Sequence, residues 1–101
     1  QWWDAVTASD AYRDLRLVAD GDRPASIPLL PQSYADYLLE PWELWARSYA
    51  QYIAQRSGDP TMRSQIAGLR SDHPLKQWSD DDFEPIADVI DSIFRDLQWI
   101  P

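Results

Sequence analysis

The sequence contains few side chains that could bind a metal ion or act as a nucleophile. It has one histidine, His73, and no cysteine, so thiolate chemistry and thiolate metal sites are excluded. Zinc-assisted hydrolysis commonly uses two histidines one helical turn apart with a glutamate between them, and this pattern does not occur in the chain. His73 stands beside Pro74 in a polar stretch, which favours a solvated loop residue over a metal ligand. The chain therefore lacks a complete catalytic site.

Glu43 is the carboxylate whose position in the sequence most favours a functional role. In a helix it would lie on a strip with Ala46, Ala50 and Ala54, whose small side chains would let another helix approach closely. Glu43 could then reach across to a partner. Alternatively, it pairs with Arg47 one turn later, a contact worth about 0.2–0.5 kcal/mol, and lies near the positive end of the helix. Residue types alone favour the ion pair.

The acidic run Asp80–Asp82 is the other concentration of carboxylates. It stands just after Ser79, where acids favour the positive end of a helix. A calcium site is disfavoured because no glycine-containing acidic loop surrounds these residues. We therefore interpret the run as helix capping and solvated surface.

The elements that must position these residues are predicted to be helices. Apolar residues recur at helical spacing, whereas period-two alternation and Asn-Gly turns are absent. We predict an all-α fold, a small bundle of about four helices formed by a single domain over residues 1–101. The predicted helices cover about 10–20, 41–58, 60–70 and a last segment after Ser79, with a short turn or helix over 33–39. Pro85 favours a start of the last helix a few residues later.

The predicted core follows from the apolar stripes of these helices. In the helix from Pro41, one stripe contains Trp42, Trp45 and Tyr49, whereas Leu44 and Gln51 face the other way. We predict the first stripe to be buried. Trp78 and Trp99 flank the last helix, where large rings would anchor its ends. The predicted core residues are Tyr12, Leu15, Trp45, Tyr49, Ile53, Ile86, Ile90, Ile93, Phe94 and Leu97.

Charge and composition limit the classes of partner. The formal net charge is −8, so the phosphate backbone of DNA or RNA would be repelled and nucleic acid is not an expected partner. No apolar run is long enough to span a bilayer, so no membrane association is expected. Because the chain begins at Gln1 rather than Met, we expect it to be a fragment of a longer protein.

Residues 37–58 resemble the glutamate-bearing helix of gluzincin-type, metallopeptidase-like domains. Such domains occur at the C-terminal ends of phage Mu-type minor head (head morphogenesis) proteins and in large polyvalent phage proteins. Residues 77–97 resemble the final helix of the same domains, so the two segments cover nearly half of the chain. The matching residues of the first segment are Glu43, Leu44, Trp45, Ala46, Arg47, Tyr49 and Tyr52.

The resemblance implies a role for each residue of this segment. Glu43 would be the third zinc ligand, and Tyr37 or Tyr34 would polarise the scissile carbonyl group. Arg47 would orient the carboxylate or contact the segment that completes the site. Since the His-Glu-x-x-His pattern is absent, either it precedes Gln1 in the intact protein or this is a degenerate relative without metal. No cofactor is expected in this chain alone, and the resemblance implies zinc only for an intact protein that supplies the other ligands.

Two classes of function remain open at this point. The resemblance implies the C-terminal helical part of a zincin-like domain in the bacterial cytoplasm or the virion, whose partner is a protein or its own upstream segment. The alternative is a non-catalytic protein-interaction module or an acidic immunity or inhibitor protein. An immunity or inhibitor protein would be expected to concentrate its acidic residues on one exposed face, whereas the acids of this chain are dispersed along the sequence.

Overall fold

The computed structural model describes residues 1–22 and 24–98, and all regular structure in that part of the chain is helical. The all-α prediction is therefore confirmed. Six α-helices are present among the described residues, two more than the four or so predicted, and a short 3-10 helix precedes the last one. They are α1 (Trp2–Thr7), α2 (Asp10–Ala19), α3 (Gln32–Leu38), α4 (Pro41–Ser57), α5 (Pro60–Asp72), the 3-10 helix (Pro74–Lys76) and α6 (Asp80–Asp96). Trp99 lies outside the described residues.

Most helix ends coincide with the capping residues of the sequence. The Ser9 side chain accepts a hydrogen bond from the amide of Tyr12 and caps α2, and Asp59 does the same for the first turn of α5. Helix α4 begins at Pro41 and stops before Gly58, whose φ of 69° is left-handed and suits glycine. These signals act within a few residues, so the sequence predicts them well.

The start of α6 shows how a cap can also serve a neighbouring helix. Ser79 accepts a hydrogen bond from the amide of Asp82 at 3.2 Å, as the capping pattern predicts. The Asp82 carboxylate points away to α2, where it accepts the amides of Asp10 at 2.8 Å and Ala11 at 2.9 Å. Pro85 lies inside α6 and does not delay its start, contrary to the prediction. A proline has no amide to donate to the carbonyl group four residues earlier, here that of Asp81. Both residues are exposed, so water can reach this carbonyl group.

Helix α1 was not predicted, because six residues are too few to show a helical period. Its stability comes from tertiary contacts. Val6 is fully buried in the core, and the Trp2 indole donates a hydrogen bond to the Ser48 hydroxyl of α4 at 3.1 Å. Helix α1 also packs against α6, so the two ends of the described chain lie together.

Two clusters of buried side chains form the core. The larger cluster lies between α1, α4 and α6 and centres on Trp78, Phe83 and Ile90. The smaller one lies between α2, α3 and the 3-10 helix and includes Leu15, Leu38 and Leu75. No described helix is long and apolar enough to cross a membrane.

The rotation of α4 about its axis differs from the prediction. The buried face of α4 contains Leu44, Ser48, Gln51, Tyr52 and Ala54. Trp42, Trp45 and Tyr49, which we predicted to be core, are exposed by 65%, 37% and 42%. Helix α4 is apolar on more than one side, so its own sequence does not determine which side faces inward.

A network of buried amides explains why the polar face of α4 points inward. The side-chain amide of Gln51 donates to the carbonyl oxygen of Trp78 at 2.8 Å and accepts a hydrogen bond from the Trp78 backbone amide at 3.1 Å. It therefore pairs with both backbone groups of Trp78. The Gln77 side chain donates to the Gln51 side-chain oxygen and to the Arg47 carbonyl group, both at 3.2 Å. The two bonds from Gln51 satisfy the backbone amide and carbonyl group of the buried Trp78, which lies outside any helix.

The remaining core predictions divide into buried, partly buried and exposed residues. Leu15, Ile86, Ile90 and Phe94 are buried, as predicted, whereas Leu97 is exposed at the end of α6. The partly buried residues are Tyr12, Ile53 and Ile93. The apolar period of α2 and α6 is therefore a reliable guide, and only α4 is turned differently.

Candidate functional site

Three of the predicted site residues, Tyr37, Glu43 and Arg47, lie together where α3 meets α4, and we call them the Glu43 cluster. The Tyr37 hydroxyl donates to Oε2 of Glu43 at 3.1 Å. Arg47 Nε lies 3.7 Å from Oε1 of the same carboxylate, within ion-pair range but too long for a hydrogen bond. The Tyr34 ring stacks on Tyr37 with ring centres 6.0 Å apart. The tight turn between the two helices places the tyrosines beside the first turn of α4.

The Glu43 carboxylate is partly accessible, and the surface beside it is open. The Glu43 side chain retains 20% of its accessible surface. Ala46 and Ala50 are exposed, whereas Ala54 is buried. The alanine strip is therefore uncovered along its first two members and covered at its end. A second helix or a ligand could approach Glu43 along the open part.

Arg47 mainly contacts the backbone. Its guanidinium donates to the carbonyl oxygens of Leu38 at 2.5 Å and Lys76 at 2.9 Å, and it lies over the Trp78 ring at 5.2 Å. Burial lowers the pKa of Arg47 to about 10, which still leaves it protonated at neutral pH. Arg47 thus ties the end of α3 and the 3-10 helix to α4, and its Nε has no hydrogen-bond partner among the described residues.

Electrostatics favour the protonated form of Tyr37. Its hydrogen bond to Glu43, and then the negative charge of that carboxylate, raise the pKa of the Tyr37 phenol. The phenol therefore remains a donor at neutral pH. Lys76 lies over the Tyr34 ring at 5.6 Å and pairs with Asp72. The Glu43 cluster thus combines one carboxylate, one phenol and one cation, and Tyr34 and Lys76 lie beside it.

This set of side chains does not complete a zinc site. Catalytic zinc takes three protein ligands and an open position, and the Glu43 cluster offers one carboxylate. Within 1–22 and 24–98, no group of three or more histidine, cysteine or acidic side chains could hold a metal ion. Any zinc bound at Glu43 would need further ligands from another polypeptide segment.

His73 is buried, whereas the sequence predicted a solvated position in a loop. Its Nδ1 accepts the Leu75 amide at 3.0 Å, and its Nε2 lies 3.0 Å from the Pro28 carbonyl oxygen. Nε2 must then carry the proton, so the ring is neutral and both nitrogens are engaged. His73 caps the 3-10 helix and fixes the proline-rich loop, a structural role that only the fold reveals.

The sequence interpretation missed an exposed aromatic surface, which we define as Trp3, Trp42, Trp45 and Tyr49. The Trp45 and Tyr49 rings stack with centres 6.1 Å apart. The centre of the Trp2 ring lies 6.0 Å from that of Trp3 and 5.2 Å from that of Trp45. Trp2 therefore connects the rings of α1 and α4 in this surface. Neighbouring exposed rings of this size are typical of protein contact sites. The stripe is visible in the sequence, but its burial was assigned wrongly.

Comparison with known proteins found no relative. No family model matches the chain, and no curated protein or solved structure was found to be similar to it. The features of this chain that bear on its function are therefore the geometry of the Glu43 cluster, the aromatic surface and the resemblance of residues 37–58 and 77–97.

Proposed function

We propose that this chain is the C-terminal helical part of a zincin-like, metallopeptidase-related domain of a phage or prophage head protein, catalytically incomplete by itself. The observation that carries the proposal is the position of Glu43, which is partly accessible beside the exposed Ala46 and Ala50. A carboxylate inserted tightly into this chain's own core could not serve as a ligand for a metal held by another segment.

In this proposal, each residue of the cluster has a distinct task. Glu43 would contribute one ligand to zinc, and the remaining ligands would come from another segment of the intact protein. Tyr37, which is hydrogen-bonded to Glu43, or Tyr34, which stacks on it, would polarise the scissile carbonyl group. Arg47 would hold the first turns of α4 in place through its two carbonyl contacts.

The aromatic surface would be the contact face for the segment that completes the domain. Three of its four rings lie on α4 next to the alanine strip, so one incoming helix can cover both. Burial of apolar surface stabilises such a contact by about 25 cal/mol per Å² before association costs. The expected partner is therefore a protein segment with an apolar face.

Metal content of the protein encoded by the whole gene tests the proposal. After dialysis against metal-free buffer, we expect about one zinc ion per chain in the wild type and a loss of most of it in Glu43→Gln. Glu40→Gln, the same chemical change one turn earlier, should keep the zinc. Tyr37→Phe should keep the zinc and lose peptidase activity. Equal zinc content in Glu43→Gln and the wild type, or no zinc in either, would remove the ligand assignment.

The chain of residues 1–101 alone provides a second readout. Calorimetric titration with zinc chloride should show no micromolar site, because a single carboxylate binds zinc weakly. A micromolar site that is lost in Glu43→Ala would show that this chain supplies ligands that the proposal places elsewhere.

A protein-interaction module without catalysis is the second candidate, and the four exposed rings of the aromatic surface favour it. An acidic immunity or inhibitor protein is the less favoured form, because several acids are engaged as caps or ion pairs. If the chain is a non-catalytic interaction module, the whole protein holds no zinc. Association of the 1–101 chain with the separately expressed remainder of the gene product should then weaken in Trp42→Ala and Trp45→Ala but not in Glu43→Gln.

A further inference from the structure

A cleft of about 490 Å³ lies between α4, α5 and the start of α6. This volume falls within the range of ordinary ligand sites. Arg63 and Arg70 of α5 form one wall, Gln55 of α4 and Asp80 of α6 form the other, and the buried Trp78 contributes to the lining. Gln55 stands twelve positions after Glu43, or about 18 Å along a helix, so the cleft is separate from the Glu43 cluster.

Helix α5 leaves this cleft open because it packs only loosely on the body of the protein. None of its residues is buried, although it spans thirteen positions. Its apolar side chains Met62 and Ile66 are half-buried, and Leu69 is exposed. A helix of this length normally buries one face, so the open cleft marks the part of its face that this chain does not cover.

The two arginines of the cleft lack acidic partners. Arg13, Arg16, Arg47 and Arg56 each contact a carboxylate, but neither Arg63 nor Arg70 forms an ion pair with any residue that the structure describes. The chain has 17 acidic and nine basic residues, so acids are abundant. The Nε atom of Arg70 is buried and has no hydrogen-bond partner in the described part of the chain. A buried donor of this kind is costly unless a ligand satisfies it.

The spacing of these side chains indicates the shape of the ligand. Arg63 and Arg70 are two helical turns apart, about 10 Å, and Ile66 and Ala67 line the cleft between them. A guanidinium binds carboxylates through two parallel hydrogen bonds. Asp80, hydrogen-bonded by Gln55 at 3.3 Å, places one negative charge at the far wall and so disfavours multiply charged phosphates.

We propose that this cleft binds an acidic peptide segment of a partner protein, with two carboxylates about three residues apart and apolar residues between them. In the polyproline II conformation, which has three residues per turn and a rise of about 3.1 Å per residue, side chains three positions apart lie on the same face about 9 Å apart, which matches the separation of Arg63 and Arg70. The carboxylates pair with the two guanidinium groups, and the intervening side chains cover Ile66 and Ala67. This binding is independent of zinc and of the Glu43 cluster.

Nuclear magnetic resonance titration of the 1–101 chain tests the proposal. The probes are the acetylated, amidated peptides Glu-Leu-Ala-Glu and Gln-Leu-Ala-Gln, and inorganic phosphate. The acidic peptide should produce saturable shifts of the Arg63 and Arg70 Nε–H signals and of the Trp78 indole signal. Its affinity should fall about tenfold or more in Arg63→Gln and in Arg70→Gln, and less in the corresponding lysine variants, which keep the charge.

Arg13→Gln is the matched control, because it removes the same charge from the exposed face of α2 and should leave the affinity unchanged. Circular dichroism melting would verify that each variant folds. The proposal is overturned by no saturable shift at millimolar peptide, by equal binding of the glutamine peptide, or by an equal loss in Arg13→Gln. Phosphate binding as tightly as the acidic peptide would overturn it too, since the cleft would then be a general anion site.

Discussion

A cluster of one tyrosine, one arginine and one carboxylate lies at each end of helix α4, and the two clusters differ in how their carboxylates are used. The Glu43 cluster lies at the N-terminal end. The second, which we call the Asp91 cluster, consists of Tyr52 and Arg56 near the C-terminal end of α4 and Asp91 of α6. Each has a tyrosine that donates to a carboxylate and an arginine beside it.

In the Asp91 cluster, the hydrogen-bonding capacity of the carboxylate is used within the fold. The buried Tyr52 hydroxyl donates to Asp91 at 2.5 Å, and Arg56 donates through two nitrogens, the shorter bond being 2.7 Å. The bonds from Arg56 lower the pKa of Asp91, while burial, with the bond to Asp91, raises the pKa of Tyr52 to about 12. The cluster joins α4 to α6 and is a structural clamp.

In the Glu43 cluster, the carboxylate receives one hydrogen bond, from an exposed tyrosine, and the arginine uses its terminal nitrogens on two backbone carbonyl groups. Glu43 keeps acceptor sites that nothing in the described chain occupies. Residue types alone therefore do not separate a structural clamp from a candidate metal ligand. The difference lies in which partner the arginine binds.

The largest effect is expected for Arg47→Met, because it leaves the Leu38 and Lys76 carbonyl oxygens without donors in a partly buried position. The free energy of unfolding should fall by about 2–4 kcal/mol in urea titrations followed by circular dichroism. Arg13→Met, at an exposed site, should change it by less than about 0.5 kcal/mol. A loss below about 1 kcal/mol in Arg47→Met would mean that its backbone contacts do not hold α4.

Asp91→Asn should destabilise the protein by about 1.5–3 kcal/mol at pH 7, since it removes charge-assisted bonds between two helices. The folded-state pKa of Asp91 lies below its ordinary value of 3.8, so its contribution is present above that pH and is lost as the pH falls through the folded pKa. The difference from the wild type should therefore shrink below about pH 4. A difference that stays constant from pH 7 to pH 2 would contradict the clamp.

The tyrosines of the two clusters, Tyr52 and Tyr37, should also differ in how much they contribute to stability. Tyr52→Phe removes a buried hydroxyl and should cost about 1 kcal/mol, whereas Tyr37→Phe removes an exposed one and should cost less than about 0.5 kcal/mol. The phenol absorbance change near pH 12 should disappear in Tyr52→Phe, because that phenol has its pKa raised to about 12. The raised pKa also means that the wild type loses stability relative to Tyr52→Phe between pH 10 and pH 12.

Glu43→Gln should have the smallest effect on stability, below about 0.5 kcal/mol, because the glutamine side chain still accepts the Tyr37 bond and the contact with Arg47 is long. Urea titrations of Glu43→Gln and Asp91→Asn under the same conditions give the two losses of unfolding free energy and so test the difference between the two clusters. A loss equal to that of Asp91→Asn would make Glu43 a second clamp and remove the reason to regard it as a ligand.

The sequence alone predicted the proximity of two residues of the candidate site, because the four-residue spacing of Glu43 and Arg47 places them on adjacent turns of any helix. Tyr37 was named only through the resemblance of residues 37–58, and its hydrogen bond to Glu43 was not predicted. The two bonds from Arg47 to backbone carbonyl groups were not predictable, because Lys76 is 29 residues away in the sequence. Nor was the cleft beside α5, since it depends on how closely two helices pack.

For the fold as a whole, the sequence determined where most helices begin and end. Ser9, Pro41, Gly58, Asp59 and Ser79 act on backbone groups within a few residues, so their effect is independent of the rest of the fold. The same holds for the inward face of α6, whose apolar residues fall on one side only.

The rotation of α4 and the burial of His73 depend instead on contacts between residues far apart in the sequence. Helix α4 has large apolar side chains on two faces, so either face could have entered the core on hydrophobic grounds. The pairing of Gln51 with the backbone of Trp78 selects one face, because it satisfies buried amides that the other rotation would leave without partners. His73 is buried for a related reason: the carbonyl group of Pro28 and the amide of Leu75 each need a partner that only the folded chain brings within reach.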